Sequence, residues 1–248
     1  MIRRPPRSTP LYSSAASDVY KRQSTAILIP ARLASTRFPE KPLKLLNGVP
    51  MIRRVYDRCL EAGLDTFVLT DSKRIASLFP KGNVVVHDDP YENGTERCAG
   101  VLRDSRFDQY GQFVNVQGDM PDVTVDIIDK CIWHLKHYPV TSVFTQMPED
   151  KQMDPSSVKM VRAGDQALWF GRGLTGYGDW HLGVYGYKRN PLEMYSNLEV
   201  TQEEEVEKLE QLRWLKNGWQ IGVLSVQYKG MEINTPQDLE EWHSKNSH

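Results

Sequence analysis

No apolar run in this 248-residue chain approaches the length of a membrane span, which excludes a helical integral membrane protein. Cysteine is scarce: Cys59, Cys98 and Cys131 have neither metal-binding nor redox spacing. They read as small core residues in a reducing cytosol. No G-x-x-x-x-G-K-[ST] sequence occurs, so a Walker loop is excluded. The N-terminal stretch has no apolar h-region and is no signal peptide, which leaves the sequon Asn93-Gly94-Thr95 without a secretory context. Internal repeats and low-complexity tracts are absent from the body of the chain. No convincing Ser-His or Cys-His set stands out, which argues against a protein nucleophile.

What remains is an ordinary globular composition, 40% hydrophobic and 25% charged. The length can bury a full core as one domain, or as a domain with a smaller subdomain. Residues 1–23 stand apart: they hold three prolines, five basic residues and one acidic residue, without periodicity. The string resembles translated sequencing-adapter read-through and is expected to be a foreign or disordered leader. The remainder then carries 26 basic and 31 acidic residues. An acidic body argues against general nucleic-acid binding and for a small anionic ligand.

Apolar and polar periodicity predicts alternating strands and helices. Strands are expected at 26–29, 66–70, 84–87, 113–116 and 141–146. Helices are expected at 50–62, 72–79, 95–103 and 124–137. This rhythm predicts an α/β fold with a mostly parallel, doubly wound, Rossmann-like sheet. From Val158 the pattern changes. Stretches 158–162, 167–170 and 182–187 read as strands of a small antiparallel insertion subdomain, at about 155–200. One charged helix is expected over 203–217, then a strand at 221–226. Thr235-Pro236-Gln237-Asp238 reads as a capping box with proline at the first helical position.

The segment AILIPARLASTRFPEKP, residues 26–42, carries the most chemistry. A buried strand ends in a loop bearing Arg32, Arg37 and Lys41. Cations leaving the C-terminal end of a strand make an anion site where open α/β sheets bind ligands. Gln117-Gly118-Asp119 follows another apolar strand. A carboxylate beside a triphosphate must be offset by a metal, so Asp119 is a candidate Mg2+ ligand, or else a turn cap. Thr70-Asp71 ends a strand on the same edge, placed to read ribose or base, or to cap the next helix. Gly94-Thr95-Glu96-Arg97 opens a helix whose N–H groups suit an anion or a base edge. Arg97 could instead pair with Glu96 or Glu92. Residues 171–176 match G-x-G-x-x-G, but no helix follows and no βαβ unit surrounds them, so a nicotinamide cofactor is rejected.

IPARLASTRFPEKPL resembles the N-terminal signature of the 3-deoxy-manno-octulosonate (Kdo) cytidylyltransferases. The resemblance continues in order through 68–71, 94–97, 115–119, 181–187, 209–213 and 234–239, covering about 26–242. It implies a nucleotidyltransferase sheet and CMP transfer from CTP to the anomeric hydroxyl of a 3-deoxy sugar acid, with Kdo expected. Another nonulosonic or amino-modified sugar acid, or a weakened CTP- or sugar-binding homologue, is the alternative. It further implies a cytoplasmic homodimer that uses Mg2+ and serves nucleotide-sugar and lipopolysaccharide synthesis, without nucleic-acid or membrane partners.

By the same resemblance, Arg37, Lys41 and Asp119 are catalytic. The nucleotide is contacted by Ala31, Arg32, Ser35, Arg37, Lys41, Thr70, Asp71, Gly94, Thr95, Arg97 and Gln117. The sugar acid is contacted by Gln117, Arg172, His181, Glu210 and Gln211, and the metal by Asp119 and Asn234. The chain departs from that pattern in three places. Glu40 stands where the family has glycine. The stretch from Arg172 to His181 is shorter. Asn234 replaces the second metal-binding aspartate.

Overall fold

The computed structural model describes residues 24–34 and 38–246. The candidate site residues Ser35 and Arg37, and the leader, lie outside them.

Strand β1 (Thr25–Ala31) is almost wholly buried. Its side chains alternate between two cores: Ala26 and Leu28 on one face of the sheet, Ile27 and Ile29 on the other. That explains an unbroken apolar run, and each fully buried Ile or Leu contributes roughly 1.5–3 kcal/mol. A two-residue hairpin follows, β2 (Leu45–Leu46) and β3 (Val49–Pro50). Its Asn47 and Gly48 both adopt positive φ, as this kind of tight turn requires.

Helix α1 (Met51–Leu60) buries Ile52, Val55, Tyr56 and Cys59, the spacing of a single helical stripe. Then come β4 (Asp65–Thr70), α2 (Lys73–Ala76), β5 (Val84–Val86), α3 (Gly94–Gly100) and β6 (Gln112–Val116). Next are α4 (Val125–His134), β7 (Val140–Thr145), β8 (Lys159–Ala163), β9 (Gln166–Gly171) and β10 (Asp179–Lys188). The chain continues through α5 (Arg189–Met194), α6 (Gln202–Glu207), α7 (Gln211–Lys216), β11 (Ile221–Ser225) and α8 (Pro236–Lys245). The capping box at Thr235 and Asp238 is formed in full.

Among the described residues nine strands make one sheet, in the order β5-β4-β1-β6-β10-β7-β11-β9-β8. α1 and α4 pack on one face, and α3, α5 and α7 on the other. The α/β layering is therefore as expected, but the sheet is mixed rather than mostly parallel. β5, β4, β1 and β6 run parallel, as do β7 and β11. β10 lies antiparallel between the two groups. The 155–200 strands are antiparallel as read, yet they join the main sheet. The reason is visible in β10, whose Leu182 and Val184 enter one core while Tyr185 and Tyr187 enter the other. A strand apolar on both faces belongs at a sheet centre.

The single charged helix expected at 203–217 is two helices. Lys208 breaks it with φ 56°. Leu209 is buried just beyond, and Arg213 folds back to hold Glu204 through two nitrogens at 2.7 and 2.8 Å. That paired network offsets the left-handed lysine.

Candidate active site

β1, β4 and β6 are neighbours and end on the same edge, at Ala31, Thr70 and Val116. The loop after β1 carries exposed Arg32 and then Glu40, whose φ of 54° is the left-handed geometry that favours glycine. Its carboxylate is drawn sideways by an ion pair to Arg74, which holds it below the usual carboxylate range. The pair stands beside an open cleft of about 720 Å3 whose wall includes Leu33, Asp71 and Lys73.

Lys41 follows at the start of a 3-10 turn. Its Nζ donates to Asp119 Oδ2 at 2.6 Å and to Asn234 Oδ1 at 3.3 Å. The lysine expected on phosphate and the carboxylate expected on metal thus neutralise one another, both about 20% exposed. The turn at Gly118 is tight: a Cβ there would meet Pro30 O at 3.2 Å and Ile52 Cδ1 at 3.1 Å. A side chain at 118 would crowd β1 and α1, so glycine lets the turn hold Asp119 close to that strand's end.

Asp71 is not a helix cap. Ser72 caps α2, accepting from Ile75 N, and buried Thr70 accepts from Ser72 N at 3.1 Å. Asp71 accepts instead from Leu33 N at 3.4 Å and Arg97 Nη2 at 3.2 Å. Arg97 therefore pairs with neither Glu96 nor Glu92. It is 5% exposed, lies over the Tyr91 ring, and its Nη1 has no partner among the described residues. A buried, half-satisfied guanidinium beside the loop suits an anionic or carbonyl ligand.

Gly94 packs on Gln117 and Pro30, where a Cβ would sit 3.0 and 3.2 Å away. Thr95 N–H, expected to be free, donates to Glu210 Oε2 at 2.9 Å. The other oxygen of Glu210 accepts from Gln117 Nε2 at 3.2 Å. Burial raises the Glu210 carboxyl, and hydrogen bonding from Thr95 partly offsets it. Gln117, Thr95 and Glu210 thus form one cluster.

His181 and Gln211 form another, inside the core. Ser142 donates its hydroxyl proton to Val184 O, so His181 Nε2 must carry the proton in its 2.9 Å bond to Ser142. Nδ1 faces Gln211 Nε2 at 3.5 Å. Burial, with the Arg172 charge nearby, lowers the ring to about 3, so His181 stays neutral. Gln211 also donates to Tyr185 OH. Arg172 lies on a separate loop, where its backbone N donates to Glu207 Oε2 at 2.8 Å and its Nε to Glu207 O at 3.2 Å.

A family model described as cytidylyltransferase matches residues 26–221. The chain belongs to this cytidylyltransferase family. A 3-deoxy-manno-octulosonate cytidylyltransferase of Rickettsia conorii is 37% identical over 232 residues, covering 89% of this chain and 94% of its own length. Its counterpart in Rickettsia typhi is 35% identical, with 96% of its length covered. A solved CMP:2-keto-3-deoxy-manno-octonic acid synthetase, complexed with CTP, matches at a TM-score of 0.81 and 30% identity. That match covers 90% of this chain and 98% of the other. An inositol-1-phosphate CTP transferase from T. maritima shares the fold alone, at a TM-score of 0.64 and 12% identity.

Sequence reasoning missed Glu232. It lies two residues before Asn234, and its Oε1 accepts from Gly183 N at 3.3 Å. Burial and the facing Asp119 charge push its carboxyl up to about 7. No motif announces it. Gly183 lies within the 181–187 stretch for a reason the sequence does not display: a Cβ there would lie 2.9 Å from Gln117 Cγ. Among the described residues no group of three or more His, Cys, Asp or Glu is arranged as a metal site. The oxygens that converge on Lys41 Nζ, a carboxylate and an amide carbonyl, are nevertheless hard donors that fit Mg2+ and already hold a cation between them.

Proposed function

We propose that this family member transfers CMP from CTP to the anomeric hydroxyl of a 3-deoxy sugar acid, with Kdo as the acceptor. The single observation that carries the mechanism is Lys41 bridging Asp119 and Asn234 at the strand ends. An anionic nucleotide arriving there competes for Lys41. As the ammonium turns to phosphate, Asp119 and the Asn234 carbonyl are freed to hold Mg2+. That ion would screen the phosphates and polarise the α-phosphoryl group.

The remaining roles belong to the chain itself. Arg32, Arg37 and Lys41 hold the phosphates, with Ala31 at the end of β1 and Ser35 between Arg32 and Arg37 in the sequence. Thr70, Asp71, Gly94, Thr95 and Arg97 line the base and ribose side. Gln117 and Glu210 orient the acceptor hydroxyl, with Arg172, His181 and Gln211 shaping the sugar-acid side. The hydroxyl oxygen bonds to the α-phosphorus, the bond to the β-phosphate bridge breaks, pyrophosphate leaves, and the hydroxyl proton passes to solvent. No protein nucleophile takes part. Screening lets an anionic acceptor approach an anionic donor, and positioning supplies much of the rate.

We extend the proposal to a homodimer working in the cytoplasm, with residues 24–248 as the catalytic unit and 155–200 helping to cover the acceptor. No helix among the described residues is long and apolar enough to cross a membrane. Pyrophosphate release on mixing CTP, Mg2+ and Kdo tests the reading. Equal turnover of ATP, or full activity in excess chelator, overturns it. Turnover only with a different sugar acid moves the acceptor and leaves the transfer chemistry standing.

A further inference from the structure

The charge that Asn234 lacks is present two residues earlier. The segment into α8 alternates: Met231 and Ile233 enter a small core with Phe38, Leu46, Met51 and Trp242. Glu232 and Asn234 therefore project to the other side, as neighbours on one face of an extended chain do. Both line a small cavity with Ser156, Ser157 and Trp180. The segment is pinned to the catalytic turn, because Ile233 N donates to Asp119 O at 3.0 Å. Glu232 is fixed at its far end by Gly183 N, on the strand that backs Gln117. Its charge is opposed by burial and then by Asp119, and favoured by Lys41 and Arg172.

We propose that Glu232 is a positioning carboxylate of this site, supplying toward the divalent cation the negative charge that Asn234 does not carry. The inference rests on the cation-dependent reading given above. Glu232 and Asn234 share one strand-like face and one anchor, so the charge can sit at either position without rebuilding the turn. Asp119 and the Asn234 oxygen then meet the cation at the point now held by the Lys41 ammonium, and Glu232 adds its charge from the neighbouring position. Carboxylate count is what sets affinity for a hard cation.

The test uses Mn2+ as the probe, read by electron paramagnetic resonance on the enzyme mixed with CTP and no acceptor. Glu232→Gln keeps an oxygen for Gly183 N–H and removes only the charge. Its Mn2+ dissociation constant is expected to rise about 10- to 100-fold, with a matching rise in the Mg2+ concentration for half-maximal turnover. The double variant Glu232→Gln with Asn234→Asp returns the charge and is expected within about threefold of the parent. Parent-like Mn2+ binding by Glu232→Gln overturns the proposal and leaves the cation-dependent transfer intact. A weakened single variant that Asn234→Asp does not rescue also overturns it, since the loss then follows from Gly183 rather than charge. If the unaltered enzyme binds no Mn2+ and needs no Mg2+, both readings fall together.

Discussion

Replacing Gly183 by alanine tests how the acceptor side is set. The new Cβ would lie 2.9 Å from Gln117 Cγ and 3.4 Å from Gln117 Cβ. Carbon atoms rest at about 3.5–4 Å, so the overlap is roughly 0.6–1 Å. The Gln117 backbone cannot retreat, because its N–H donates to Gly183 O at 3.2 Å. Relief must come from the Gln117 side chain, whose Nε2 then leaves Glu210. Overpacking of this kind costs about 1–2 kcal/mol, or roughly 2–8 °C in Tm for a chain of this size. Losing a donor to a part-buried carboxylate removes about another 1.5–3 kcal/mol of ordering at the acceptor, a 10- to 100-fold fall in kcat/KM for the sugar acid. CTP affinity should change less than threefold, since the phosphate loop is not displaced. Melting curves and steady-state rates with the sugar acid varied at saturating CTP measure both effects. In a Gln117→Ala background most of the stability cost should vanish, because Cγ is gone. Gly183→Ala with an unchanged Tm and unchanged kcat/KM would show that this contact positions nothing.

Asp119→Asn should lower kcat at least 100-fold while weakening CTP binding less than about tenfold, because the metal acts most where charge develops; near-normal kcat sinks that assignment. Glu232 gives a pH effect with a definite sign. Its folded carboxyl titrates near 7, above its ordinary 4.5, so its contribution to stability is complete below about 4.5 and is lost as pH climbs towards 7 and beyond. Glu232→Gln should therefore gain about 1–3 kcal/mol over the parent at pH 8 and almost nothing at pH 4, by denaturant melts at each pH. Glu40→Gly should shift Tm by less than about 2 °C, since relief of the left-handed backbone and the entropy of glycine nearly cancel. The same change should tighten CTP binding at low salt and not at high salt, because it removes an exposed anion near the phosphate loop.

The placement of much of the candidate site was legible because strand ends are legible. Val68-Leu69-Thr70-Asp71 and Asn115-Val116-Gln117-Gly118-Asp119 each show an apolar run stopped by polar residues, and the parallel pairing of β1 with β4 and β6 brings those stops together. The capping box at Thr235 is purely local chemistry, so spacing alone reveals it. The break at Lys208 is not local. Residues 202–216 contain neither glycine nor proline, and only the buried Glu204–Arg213 pairing shows why the helix stops. Glu232 is hidden for the same reason: one acid in an irregular stretch gains its role from Gly183, 49 positions away. Asn47-Gly48 was a readable turn signal that the helix-and-strand rhythm passed over.

The central placement of β10 shapes how the chain can be made. β6 has β1 on one side, but its other side waits for residues 184–188, roughly seventy positions later. At a synthesis rate of about 5–20 residues per second, that edge stays open for several seconds, and β7 waits as well. An emerging chain therefore holds one incomplete parallel ribbon and the lone strand β7, with apolar faces and unpaired edges, the situation in which strands join the wrong neighbour. Arrival of one ten-residue strand joins them, and the far edge of β7 then waits only for β11. Biogenesis of this enzyme should then turn on residues 188 to 225, and chains stalled before β10 should depend on chaperones far more than chains stalled after β11.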